Sequence, residues 1–358
     1  MSKTSIWFKC FQWLKSHTEI IVIPAIYLLL SFLSKRRIFN DYMMQVIMLA
    51  GIYIIMTESL NILNGMTGLS SLGHAGFMSV GAYSAAVITS VLINTQAMPA
   101  VTQNVIFVFA TLVGGGIAAL CGLLIGFPAL RLKGDYLAIV TLGFCEVIRA
   151  LMRLIKITGA AMGMTGIPQY SSLFWVFAFA ILAIYACRNY MDSSYGRACM
   201  AIRENEIAAN TMGINSSRYK VIAFVTSAFI AGIAGSLYAH LLRYLHPDVF
   251  SYAKSTDFLV YLYAGGVGSI SGSLLGAIAL TILPEVLRFL SEWRLVIYGA
   301  MLLCIILFRP VGLFGGREFA FLKLKTGGIK VFGMDTIKNL FRKKPSEAAP
   351  VSQEEGKQ

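Results

Sequence analysis

The chain has 358 residues, 57% of them hydrophobic and only 13% charged, about half the charged share of a soluble domain. Its net charge of +13 is gathered at segment ends and in the tail after Arg309. That is the positive-inside pattern of a membrane protein, and it argues against nucleic acid as a partner.

Taken in chain order, residues 1–41 read as an amphipathic lead-in followed by a first span, with apolar residues at about 20–33. Basic residues precede that stretch, but no cleavage-type site separates it from the spans that follow, so it is not read as a cleaved signal. Further apolar segments fall at about 42–63, 69–93, 105–127, 136–155, 173–187, 219–242, 258–283 and 295–308. Spanning the hydrocarbon core takes about 20 helical residues. The expected fold is an all-α polytopic membrane protein of about 8–10 transmembrane helices. The tail at 316–358 is basic and cytoplasmic, able to lie on an anionic leaflet, and its end is expected to be disordered.

Two of these segments are unusual inside. Residues 64–82 read NGMTGLSSLGHAGFMSVGA and residues 264–277 read AGGVGSISGSLLGA. Gly in a span is ordinarily a packing residue, the reading given to Gly114, Gly115, Gly116 and Gly122. Two dense Gly/Ser clusters in different halves instead point to broken or re-entrant helices lining a pathway. The residues then expected along it are Ser70, Ser71, His74, Gly265, Gly266, Ser269 and Ser271. For His74, a hydrogen bond to a neighbouring carbonyl is an equally good reading.

Charges in or beside apolar runs are costly and default to function. Here they are Glu58, Arg131, Asp135, Glu146 and Arg149. Glu146 and Arg149, at i,i+3 on one helix face, are spaced to pair with each other. Asp135 with Arg131 suits an interfacial ion-pair network at a cytoplasmic end. The six cysteines are scattered without a CxxC pair, and the four histidines are dispersed, so no metal site and no cofactor is expected. No phosphate-binding loop and no catalytic pair is present, so the chain is read as a non-enzyme, and active transport would draw on ions or on a separate subunit.

Between two apolar runs stands GRACMAIRENEIAANTMGIN, residues 196–215. Wound as one helix over 197–212, it places Ala198, Ala201, Ile202, Ala208, Ala209 and Met212 on one thin face. Arg203, Glu206 and Asn210 gather opposite. Gly213 is the expected left-handed residue closing the helix. A lipid-surface anchor would show Leu, Phe or Trp on its buried side; small residues and mixed charge suit docking into a protein groove. With this stretch placed in the cytoplasm, a single crossing by 258–283 would send the tail outside with its ten Lys and Arg from Arg309 onward. A segment that dips in and returns, or makes two short crossings, keeps the tail inside.

The stretch GRACMAIRENEIAANTMGINSSRYK resembles the cytoplasmic coupling segment of LivM-type permeases of ATP-binding-cassette (ABC) importers for branched-chain amino acids. NGMTGLSSLGHAGFMSVGAY (64–83), RLKGDYLAIVTLGFCEVIR (131–149), RYKVIAFVTSAFIAGIAGSLYAH (218–240) and FRPVGLFG (308–315) are similar to the same family. The resemblance implies an importer permease domain over 42–315, with a coupling segment at 194–215, in a bacterial inner membrane. It implies a LivH-type second permease, two ABC ATPase subunits and a periplasmic substrate-binding protein as partners. It also implies ATPase contact by Gly196, Arg197, Ala201, Arg203, Glu204, Glu206, Ala209, Gly213 and Asn215. The stretch TGAAMGMTGIP (158–168) departs from the family pattern, leaving urea, short amides or a sugar open as cargo. An ion-driven transporter working alone is the rival class, and a membrane enzyme would need a convergent polar site.

Overall fold

In a computed structural model, residues 40–93, 99–129, 135–308 and 312–313 are described. The segment at 20–33, Arg131 and the tail at 316–358 lie outside the described residues. Helix α1 spans Asp41–Leu60 and continues as a wider π turn, Asn61–Met66. Helix α2, His74–Val87, likewise ends in a π turn at Ile88–Leu92. Then follow α3 (Ala100–Ala129), α4 (Asp135–Leu154), α5 (Leu173–Asp192), α6 (Ser194–Glu204), α7 (Glu206–Thr211) and α8 (Ser216–Leu242). The described part closes with α9 (Tyr252–Gly265), α10 (Ile270–Val286) and α11 (Arg294–Phe308).

Six stretches among the described residues are long and apolar enough to cross a membrane, at Asp41–Met66, His74–Leu92, Val101–Pro128, Leu173–Asp192, Ser216–Leu242 and Ile270–Phe289. The protein is therefore a polytopic all-α membrane protein. The apolar segment at 136–155 forms α4, but Glu146, Arg149 and Arg153 break its apolar character. The last segment gives a shorter apolar helix, Val296–Ile305.

Helix α8 is the hub, packing along α2 and α3 and also against α1. Its residues from Ala223 to Leu241 are almost all buried, although they are mostly small. Small residues let helix backbones approach where lipid gives no hydrophobic push. At Gly232 a Cβ would stand 2.6 Å from that of Ala118 and 2.9 Å from the Gly115 Cα. Gly115 and Gly122 of α3 face α8 and Gly114 faces Gly81 and Ala85 of α2, whereas Gly116 has nothing within 4 Å. The packing reading thus holds for three of the four and is corrected for Gly116, which sits on the other side of α3.

Both Gly/Ser clusters interrupt helices. The first break, 67–73, separates α1 from α2. The second, 266–269, separates α9 from α10, and here the contacts fix direction. Tyr53 of α1 meets Phe258 and Tyr261 of α9 with ring centroids 5.4 and 6.1 Å apart. Twelve residues further along α1, Gly65 sits beside Gly268, where its Cβ would lie 2.9 Å from the Gly268 nitrogen. On the way back, Ser273 of α10 donates to the Glu58 carboxylate at 2.5 Å. So α9 runs with α1 and α10 returns against it, the reversal that a dip or a pair of crossings requires and a single crossing does not. After α11 the chain reaches the break again, where the Leu313 N–H donates to the Ala264 carbonyl at 2.8 Å.

At the other end, Glu146 pairs with Arg149 at 2.6 Å, the spacing read from sequence. The Glu146 carboxylate also accepts from the Tyr252 N–H at 3.1 Å, at the start of α9. Arg153 hydrogen-bonds Asp248 in the connection between α8 and α9, and this holds the Asp248 carboxyl below the usual carboxylate range.

Candidate functional site

The polar stretch is two short helices rather than one. Asn205 adopts an extended backbone (φ −157, ψ 106) and its side chain caps α7 by accepting from the Ala208 N–H at 3.0 Å. Asn competes with helix for its own backbone and favours caps, which is why a single winding over 197–212 fails. Ala198, Ile202 and Ala209 of the thin stripe are buried, and so is Cys199, which the stripe did not include. Ala208 and Met212 are turned out by the kink.

Each end of the pair is fixed. Ser193 caps α6 by accepting from the Gly196 N–H at 3.2 Å, and Arg197 donates to the Asp192 carbonyl at 2.6 Å. At the far end Gly213 has φ +86, a conformation that costs glycine little. The Gly213 N–H donates to the Asn210 carbonyl and the Ile214 N–H to the Ala209 carbonyl, both at 3.0 Å. This is a Schellman stop, placed where the sequence put it. Asn215 then caps α8 by accepting from the Arg218 N–H at 3.2 Å.

Two residues expected on the outer face are turned inward. Glu206 pairs with Lys220 of α8 at 2.7 Å, the lysine side chain being 8% exposed and the glutamate 35%. Arg203 extends beneath α1 and donates to the Gly65 carbonyl. What the pair presents outward is Glu204, Asn205 and Asn210 around two apolar side chains, Ile207 at 77% exposure and Met212 at 83%. Ile207 was not among the expected contacts. Ala201 is half-buried.

Removing the Glu206 charge strands a buried ammonium. Glu206→Gln is expected to lower stability by about 1–3 kcal/mol, less than a fully buried pair because the glutamate is partly wet. Thermal unfolding in detergent checks this, and the exchange Glu206→Lys with Lys220→Glu should recover most of the loss.

Directly above lie the two breaks, held by polar side chains of α1 and its π turn at three-residue spacing. Asn61 accepts from the Gly268 N–H at 2.9 Å and donates to the Ser269 carbonyl at 3.3 Å. Asn64 accepts from the Ser71 N–H at 3.3 Å, and Glu58 takes the Ser273 hydroxyl. Glu58, Asn61 and Asn64 fall on one helical face, so their spacing was the signal that could have found the pair of asparagines.

The residues expected along the pathway stand at these breaks. His74 is buried and contacts the Ser227 hydroxyl at 2.6 Å and the Ser71 hydroxyl at 3.3 Å, so hydroxyls replace the expected carbonyl. Ser269 caps α10 by accepting from the Gly272 N–H at 3.0 Å. Gly265, Gly266 and Ser271 are buried and Ser70 half-buried. Of the charges, Asp135 opens α4.

These features define a multi-pass helical membrane protein with interrupted spans seated on a polar connector. The particular family follows from comparison. Residues 42–306 match the family described as branched-chain amino acid transport system / permease component, and the chain belongs to it. Among its relatives is the high-affinity branched-chain amino acid transport permease LivM of Escherichia coli K12, 33% identical over 314 residues that cover 78% of this chain and 71% of the relative. The corresponding LivH permease of the same organism is 32% identical over 155 residues, 42% of this chain and 49% of the relative. A probable LivM of Methanocaldococcus jannaschii is 24% identical over 324 residues, 76% of this chain and 93% of the relative. No solved structure matched.

Proposed function

We propose that this protein is the transmembrane permease subunit of an ABC importer that moves branched-chain amino acids into the cytoplasm across a bacterial inner membrane. It works with a LivH-type second permease, two separate ATPase subunits that hydrolyse ATP, and a periplasmic substrate-binding protein. Family membership supports the cargo. The observation that carries the mechanism is the α6–α7 pair, capped at each end, with Ile207 and Met212 exposed below and both helix breaks above. Closure of an ATPase dimer around α7 would move a short, stiff connector, and the flanking α5 and α8 would follow. A binding protein that selects the cargo leaves the pathway little need for strong sites of its own.

The test is uptake into proteoliposomes holding the full assembly. Labelled leucine should accumulate only with ATP and the binding protein, and unlabelled isoleucine and valine should compete. Uptake by this chain alone, sensitive to an ionophore, would establish the ion-driven class instead. Uptake of urea or a sugar in place of leucine would reassign the cargo.

A further inference from the structure

The π turn that leads into the first break touches the second break, and one side chain of the polar connector touches both breaks. Gly65, at the end of the α1 π turn, lies against Gly268. Arg203, near the end of α6, donates through Nη1 to the Gly65 carbonyl. Its stem runs under Gly68, where a Cβ would stand 3.0 Å from the Arg203 Cγ. The same Nη1 would stand 3.1 Å from a Cβ on Gly268. Gly68 and Gly268 have φ of +68 and +80, so each break turns through a left-handed residue at the point where the guanidinium arrives.

The chemistry of the contact is directional. The last carbonyls of a helix lack intrahelical partners and carry the negative end of its dipole. A guanidinium offers several donors in a rigid plane and stays charged at any working pH. Beyond Gly65 the network continues without a gap. Asn61 binds both Gly268 and Ser269, and α10 then reaches Glu58 through Ser273. A displacement of α6 therefore pulls on the first break directly and on the second through one residue.

The geometry points to Arg203 as a latch: a positioning residue that ties the connector to both helix breaks, so that movement of the connector releases or locks them together. It does not serve as an ATPase contact. This rests on the proposed function, since the force on the connector is taken to come from an ATPase. Outward residues of α7 make the contact and Arg203 transmits it.

Two measurements test this. In the reconstituted importer, Arg203→Ala should bind the ATPases and hydrolyse ATP while uptake falls about tenfold or more, within the range of roughly 5–150-fold typical of coupling between sites. Arg203→Lys keeps the charge and a single donor nitrogen without the planar fork, and should recover part of the uptake. The second measurement needs no partner. In the purified chain with its native cysteines replaced, Ser70→Cys in the first break should react several-fold faster with a thiol reagent when Arg203 is Ala, and less so when it is Lys.

Normal uptake by Arg203→Ala, or loss of ATPase binding by it, overturns the latch, as does an unchanged labelling rate. If Arg203→Ala fails to insert, the lysine variant carries both readouts, and its labelling rate and uptake must then shift in the same sense. Failure of ATP-driven uptake in the wild type is a different result. It removes the proposed function and the coupling role with it, whatever the labelling shows about the contact.

Discussion

Replacing Ile207 and Met212 together by aspartate is expected to abolish ATP-dependent uptake while leaving the permease folded and inserted. Both side chains are more than three-quarters exposed on a pair of helices fixed at each end, so the change strains nothing inside the bundle. In an ATPase groove the same two positions would become buried carboxylates. Hot-spot residues at the centre of an interface contribute about 2 kcal/mol or more each, and an unpaired buried charge costs several more. Loss of affinity should exceed roughly a hundredfold, seen as failure of the ATPases to co-purify. Thermal unfolding of the purified permease should match wild type. Co-purification at wild-type yield would remove α7 from the docking surface.

The largest effect on folding is expected at the α8 hub. Gly232→Leu must place a branched side chain where Ala118 and the α3 backbone already stand within 2.6–3.1 Å of a Cβ. Overpacking costs typically 1–3 kcal/mol when side chains can shift. Here the obstacle includes the Gly114 carbonyl and the Gly115 Cα, which move only if α8 and α3 separate. A loss of roughly 3 kcal/mol or more, against a marginal total, should leave little protein in the membrane. Gly116→Leu, one residue from that contact, meets nothing within 4 Å and should accumulate normally. Membrane yield and unfolding temperature of the two variants, measured together, separate helix contact from a general intolerance of bulk. Equal behaviour would contradict the packing account.

The spans were legible because a run of about 20 apolar residues has few other readings. The breaks were legible because Gly and Ser are poor filler for a lipid-facing helix, and they fall inside the two clusters. The sequence favours a return of 258–283 over a single crossing, because only a return keeps the basic tail inside. The Tyr53, Gly65 and Glu58 contacts now decide it on independent grounds. The polar stretch was legible as a connector, including its Gly213 stop, because that stop is a local backbone event. Which way its charges faced was not legible. One Asn cap at Asn205 rotates everything after it, and a regular 3.6-residue winding carries no information about such a kink. A regular winding therefore puts Arg203 and Glu206 on the outer face, whereas a carbonyl in the π turn after α1 and a lysine on α8 hold them in. Both partners are distant in sequence, and no spacing rule reaches them. The asparagines of the π turn are hard to read for a different reason: an amide in an apolar run carries no charge to mark its position as costly.

The proposed coupling divides labour within 196–215: outward side chains would grip an ATPase and an inward arginine would move the breaks. The most direct measurement places a photoreactive amino acid at Ile207 or at Arg203 in the assembled importer and asks which captures the ATPase. The account predicts a strong permease–ATPase adduct from position 207 and, from position 203, only adducts within the permease. An ATPase adduct from 203 with none from 207 would contradict it.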